Sequence, residues 1–110
     1  MKNYIVSTVD GLPLVNTFET KKEHEVAALT AALSGLGKGL KQGLDLGALG
    51  TIVVNGSKGR YGMRYIDNER ILGMLASDLK SENELLSDID SLTSAMQKNM
   101  IATNSLNASA

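Results

Sequence analysis

The stretch that most constrains this chain runs from about Lys21 to Gly47, KKEHEVAALTAALSGLGKGLKQGLDLG. Val26, Leu29, Leu33, Leu36, Leu40 and Leu44 recur at spacings of three and four, the period of one helix face, and that stripe is predicted to face a core. Beside it runs a second stripe, Ala28, Ala32, Gly35, Gly39 and Gly43, which is almost bare of side chains. Thr30, Ser34, Lys38, Lys41 and Gln42 make up a third face, predicted to be wet. Glycine in a helix interior costs about 1 kcal/mol against alanine, so Gly35, Gly37, Gly39 and Gly43 together cost about 4 kcal/mol. A small domain has only about 5–15 kcal/mol of stability in total. A continuous helix therefore needs something to offset the glycines: close approach of another backbone, either a sheet beneath or a second copy of the helix. The alternative is a helix that ends near Ser34, followed by a glycine loop. The leucine period carries through Leu40 and Leu44 and favours continuity to about Gly43.

Around this helix the chain reads as strands. Tyr4–Val9 and Leu14–Phe18 are rich in β-branched residues, and Asp10-Gly11-Leu12-Pro13 between them makes a hairpin turn. Pro13 has no amide to donate, so it opens the second strand or lies on an edge. Thr20 is the expected helix N-cap, with Glu23 as its capping-box partner. Glu19, Glu23 and Glu25 bring negative charge to the positive end of the helix dipole. Leu49–Val54 is a third strand, and Asn55-Gly56-Ser57-Lys58-Gly59 a hairpin loop. In the fourth strand Tyr61, Met63 and Tyr65 alternate with Arg60 and Arg64, which predicts one buried face and one basic outer face. Ile71–Ala76 is almost wholly apolar, as a central strand covered on both faces would be. Ser81 and Glu84 form a capping box for a last helix, striped by Leu85, Ile89, Leu92 and Met96. The order β-β-α-β-β-β-α predicts an α+β sandwich on a five-stranded antiparallel sheet.

The chain has 110 residues, the size of one domain. That domain is assigned to residues 1–98, with 99–110 a small, polar and flexible tail. A net charge of −1 argues against nucleic acid as a partner. No apolar run is long enough to span a bilayer, and the N-terminus reads directly as a strand, so neither a signal peptide nor membrane insertion is expected. The absence of cysteine excludes disulfides and thiolate chemistry and fits a cytoplasmic protein.

Motifs for chemistry fail on spacing. In Gly35-Leu36-Gly37-Lys38-Gly39, a phosphate loop would need glycine in place of Ala32 and a hydroxyl in place of Gly39. A dinucleotide fingerprint would need glycine in place of Leu40, and would open a helix rather than sit late in one. His24 is the sole histidine, lies among charges, and reads as a surface residue. Asp88 and Asp90, two apart on a helix, diverge and cannot act as a paired acid and base. The expectation is no catalytic, cofactor-binding or metal-binding residue, and no enzyme. Lys58, Arg60 and Arg64 form a modest basic patch, read chiefly as a solvated strand face and secondarily as a dock for an acidic partner.

The third strand, if it lies at a sheet edge, exposes free amides and carbonyls that invite pairing with another chain. Together with the bare stripe of the long helix, it predicts a homodimer in which one two-fold axis pairs edge with edge and helix with helix.

The runs IVSTVDGLPLVNTF, EVAALTAALSGLGKGL, LGALGTIVVNGSKGRYGMRYID and RILGMLASD, in this order and spacing from Ile5 to Asp78, resemble the roadblock family, also called the dynein light chain roadblock family. The resemblance implies a profilin-like α/β sandwich. It also implies a dimer whose long helices lie together and whose third strands join two sheets into one. On this sequence Thr51, Ile52, Val53 and Val54 would be the sheet-joining strand, and Ala28, Ala32, Gly35 and Gly39 the helix contact. Members of the family are usually non-enzymatic light chains of motor complexes, or regulators and scaffolds of Ras-like small GTPases. Many begin with a helix ahead of the first strand, whereas this chain starts almost in the strand. The expected function is that of a cytoplasmic, homodimeric, non-enzymatic regulator of a Ras-like small GTPase. The rival expectations are a light-chain-type subunit of a larger motor or scaffold complex, and a small-molecule sensor.

Overall fold

The computed structural model describes residues 3–18, 21–77 and 81–109, with α2 side chains through Lys98. The elements are β1 (Asn3–Thr8), β2 (Pro13–Asn16), α1 (Glu23–Gly43), β3 (Ile52–Asn55), β4 (Arg60–Tyr65), β5 (Arg70–Ala76) and α2 (Glu82–Ser109). The order is the one expected. The strands form one five-stranded sheet, β2-β1-β5-β4-β3, antiparallel at every pairing. β5 lies at its centre and is buried at four successive residues, as its apolar run predicts. Pro13 opens β2 on one edge; β3 forms the other. The third strand starts later than expected, with Leu49 to Thr51 outside it.

Side-chain alternation assigns the two faces of the sheet. Val6, Leu72, Met74, Ala76 and Ile66 join Leu85 and Ile89 of α2 in one apolar cluster. Ile5, Ser7, Met63 and Ile71 point the other way, where Tyr61 and Tyr65 reach α1. The molecule is thus a three-layer sandwich, helix-sheet-helix.

The turns are fixed locally. At Gly11 the backbone has φ +92°, and a Cβ there would sit 3.2 Å from the Ala28 Cα. Glycine is needed twice over at this position, for conformation and for closeness to α1. At the β4–β5 turn the Asp67 carboxylate accepts from the Glu69 and Arg70 amides at 2.9 and 2.8 Å and pairs with Arg70 Nε at 3.0 Å. Partial burial pushes the Asp67 carboxyl up, but these donors together outweigh it and hold its pKa below the ordinary value.

The caps divide. Ser81 caps α2 as expected, its Oγ accepting from the Glu84 amide at 3.2 Å and donating to Glu84 Oε1 at 3.3 Å. At α1, Thr20 and Glu19 lie outside the described residues. The residue ahead of the first turn is Lys22, which makes no side-chain cap. Glu23 accepts from Asn16 Nδ2 at 2.9 Å, so its carboxylate ties the helix start to β2. The backbone of α2 stays helical through Ser109, past Met96, where the apolar stripe ends.

Candidate interaction surface

α1 is continuous to Gly43, as its leucine period predicts, but it is rotated from the expected orientation. The residues it buries are Ala27, Thr30, Ser34 and Gly37. Leu29, Leu36, Leu40 and Leu44 are 58–68% exposed. The stripe assigned to the core is therefore largely outside, and Thr30 and Ser34, assigned to the wet face, are against the sheet. The cause lies in the sheet. Its α1 face is built up by Tyr61, Met63 and Tyr65, so the helix approaches on its smallest side chains. Gly37 lies directly against the Ile52 side chain, where any Cβ would collide. The two hydroxyls are buried at little cost because the helix satisfies them: Thr30 Oγ1 donates to Val26 O and Ser34 Oγ to Ala31 O, each at 2.7 Å. With its one proton spent on Val26, Thr30 accepts from the Tyr61 hydroxyl at 2.6 Å. Tyr65 donates to the Ser34 carbonyl at 3.2 Å. Burial pushes the Tyr61 pKa above its ordinary 10.0, an effect that the Thr30 hydrogen bond only partly counters.

The bare stripe is open. Nothing outside the helix backbone lies within 4 Å of a Cβ placed at Gly35, Gly39 or Gly43, and Ala28 and Ala32 are exposed. Of the four glycines, only Gly37 serves the sheet.

Between the leucine flank of α1 and the β3 end of the sheet lies an open apolar groove of about 460 Å³, lined by Phe18, Val26, Leu29, Leu33, Val54 and Leu75. The Thr30 and Tyr61 side chains also contribute to its lining. Their hydroxyls are occupied with each other, so the groove presents hydrocarbon rather than an orienting polar group. Beside it, β3 pairs with β4 alone and leaves its other edge unpaired among the described residues. Val54 of this edge is 51% exposed, and Leu46, in the link from α1, 61%. Four expected interface residues, Thr51, Ile52, Val53 and Val54, are thus on or beside an open edge. Ala28, Ala32, Gly35 and Gly39 lie on another face of α1, where Gly11 of the β1–β2 turn comes against Ala28.

The basic residues do not gather on an outer face. The Arg60 and Arg64 side of β4 is covered by α2, where Leu85 and Ile89 rest on Gly62. Arg64 Nη1 pairs with Asp90 Oδ1 at 3.0 Å, Arg60 is half-buried, and Lys58 is exposed at the β3–β4 turn. The solvated basic face predicted from alternation is therefore a covered one. The sequence reading missed the leucine flank as a surface and did not include Phe18 or Leu75. The available signal was the pair of hydroxyls at Thr30 and Ser34, which can be buried by bonding back to their own helix. Among the described residues no group of three or more His, Asp or Glu could hold a metal ion, and no helix is long and apolar enough to cross a membrane.

No family model matches the sequence, and no curated protein matches it. Solved structures do. A Roadblock/LC7 domain from Streptomyces avermitilis superposes with a TM-score of 0.80 at 19% identity, over 90% of this chain and 84% of that one. MglB of Myxococcus xanthus gives 0.79 at 14% identity, over 91% and 83%. The gliding protein MglB from Thermus thermophilus gives 0.69 at 13%, over 87% and 75%. The fold is that of the roadblock domains. At these identities the likeness is one of architecture: the same sheet and helices built from largely different side chains. The roadblock fold accounts for the sheet, the two helices and their order.

Proposed function

We propose that this roadblock-fold protein is a cytoplasmic homodimer that binds a Ras-like small GTPase and regulates or scaffolds it without catalysing a reaction of its own. The observation that carries the dimer is the coincidence, on one side of the molecule, of an exposed leucine flank and an unpaired strand edge. Monomeric soluble proteins rarely leave a contiguous apolar patch of more than a few hundred Å², and an unguarded edge strand invites pairing. Burying each half-exposed leucine contributes about 1–2 kcal/mol, so four of them per copy are enough to hold a dimer once the cost of association is met. In this reading Thr51 to Val54 join the two sheets, the leucine flank supplies the apolar contact, and Ala28, Ala32, Gly35 and Gly39 flank it. The folded unit is residues 1–98, with 99–110 as a C-terminal tail.

The GTPase half of the proposal rests on the roadblock resemblance. The dimer would offer one rigid composite surface to the partner, and could shift the partner between nucleotide states only by its difference in affinity for the two. Arg64, paired with Asp90, is held within the chain. Lys58, exposed at its turn, is the more available contact for an acidic surface, with Arg60 beside it. The test is affinity capture with the purified protein from the source cell, with GTP-analogue and GDP in separate arms. Retention of a small GTPase in a nucleotide-dependent amount supports the reading; retention of none in either arm overturns it.

A further inference from the structure

We propose that the groove beside the first half of α1 binds a fatty acid, its hydrocarbon chain laid along the groove and its carboxylate held at Lys58. The site lies within one chain and depends on neither the dimer nor the GTPase reading. The floor of the groove gives it a shape. Val54 pairs with Tyr61 and Tyr61 with Leu75, and directly opposed residues project to the same face of a sheet. Three lining residues are therefore one row across β3, β4 and β5. At the other edge Thr17 carries the β2–β1 pairing past β2, its amide donating to the Tyr4 carbonyl at 3.0 Å, and Phe18 follows one residue on. The floor thus crosses the sheet from β3 to the β2 edge, four strand spacings or about 19 Å. Val26, Leu29 and Leu33 of α1 wall it. A long slot lined with hydrocarbon matches an extended alkyl chain. With ~1.3 Å gained along a zigzag of ~1.5 Å bonds, about 15 carbons span it.

One end of the slot is polar. A second hollow opens beside it, sharing Val54, Tyr61 and Leu75 and continuing over Ser57, Lys58 and Ser77. No carboxylate of a described residue lines either hollow. Lys58 is exposed at the β3–β4 turn, and its single ammonium complements a head group of single negative charge. Ser57 and Ser77 bring hydroxyls to the same rim. An occupant apolar throughout would leave this end unused; a chain ending in a carboxylate fills both parts.

The stripe of α1 divides in the same way. Leu36, Leu40 and Leu44 do not line the groove, so a second copy on the leucine flank and a fatty acid in the groove have only Leu29 in common.

The test is calorimetric titration of the full chain with tetradecanoate below its micelle concentration, which is expected to saturate at one molecule per chain. Dodecanoate, two methylenes shorter, is expected to bind about fifteenfold more weakly. Tetradecyltrimethylammonium, with the same chain and the opposite charge, is expected to bind more weakly than tetradecanoate. Lys58→Glu, at an exposed turn position, is expected to weaken tetradecanoate about fivefold while keeping the parent's urea midpoint. The chain has one phenylalanine, so its ring protons are unambiguous by NMR, and a nuclear Overhauser contact from the terminal methyl of the bound chain to Phe18 is expected. Equal binding of the two amphiphiles, or of tetradecanoate by parent and Lys58→Glu, means a greasy surface without a head site and overturns the inference. Absence of saturable binding overturns it too; if light scattering then finds a dimer, the groove belongs to the second copy and the homodimer reading stands.

Discussion

α2 presents Leu85 and Ile89 to Val6, Leu72 and Met74, and all five are at most 2% exposed. On the opposite face of the same sheet, α1 presents Ala27, Thr30, Ser34 and Gly37 and leaves four leucines outside. Both helices carry large apolar residues at helical spacing. In one they are the core of the subunit; in the other they are its surface. The difference lies in what the sheet offers each helix. On the α2 face Gly62 leaves a hollow that Ile89 enters. On the α1 face Tyr61 and Tyr65 fill the space themselves and finish in hydroxyls that need partners. A helix meeting a hollow inserts large side chains. A helix meeting a raised, hydroxyl-tipped surface must bring small ones and hydrogen-bonding groups. Its period of 3.6 then carries its leucines to the flank.

The largest effect expected from breaking this contrast is on the α2 side. Ile89→Ala removes a side chain with no exposure and is expected to cost about 2–5 kcal/mol in urea unfolding. Leu36→Ala, similar in chemistry but on the flank, is expected to leave the unfolding of the isolated subunit within about 0.5 kcal/mol while raising the dimer dissociation constant, as sedimentation would show. Equal losses of subunit stability for the two would erase the contrast. Next in size, Thr30→Val leaves the Tyr61 hydroxyl without its acceptor and is expected to cost about 1–3 kcal/mol. Adding Tyr61→Phe to it should recover part of that loss, and a double-mutant cycle measures the coupling. Smaller again, Gly35→Ala adds a methyl group in open space within the subunit. It is expected to stabilise the subunit by about 0.5–1 kcal/mol through helix propensity, whereas Gly37→Val, driven into Ile52, should destabilise it.

The smallest effect is a slope with pH. The raised Tyr61 pKa means that the folded state holds the phenolic proton more tightly than the unfolded state does. Its contribution is therefore complete below pH 10 and is lost as pH rises from there through the raised value. Thermal unfolding scans across that window should show the loss in the parent and a flatter profile in Tyr61→Phe.

How much of this was legible in the sequence follows from the range of each interaction. The order of elements, the hairpin at Gly11, the edge position of Pro13, the cap at Ser81 and the central place of β5 depend on neighbours a few residues apart or on the apolar content of a single strand, and they read correctly. The leucine period of α1 told which residues share a face and that the helix runs on to Gly43. It did not tell which face turns inward, because that is decided by Tyr61 and Tyr65, 31 residues away from their partners. The same holds for Arg64. Alternation along β4 put it opposite the tyrosines, but only the docking of α2 reveals that this face is covered and that Asp90 is waiting there. Glu23 was read as the capping partner of Thr20, which lies outside the described residues; its bond to the strand residue Asn16 is one that no local sequence window shows. The open edge of β3 was legible as a possibility; the groove beside it, built from Phe18, α1, Val54, Tyr61 and Leu75, was not, since its walls come from five separate parts of the chain.

The central claim is that the leucine flank of α1 is an interface between copies and not part of the subunit core. The most direct measurement is the solution mass of the parent and of Leu36→Asp/Leu40→Asp by light scattering, with a circular dichroism melt of each. The account predicts twice the 11.7 kDa chain mass for the parent, and the single chain mass, with the helical and sheet signal retained, for the variant. A parent that is monomeric at high concentration, or a variant that loses its fold as a core substitution would make it do, contradicts the account.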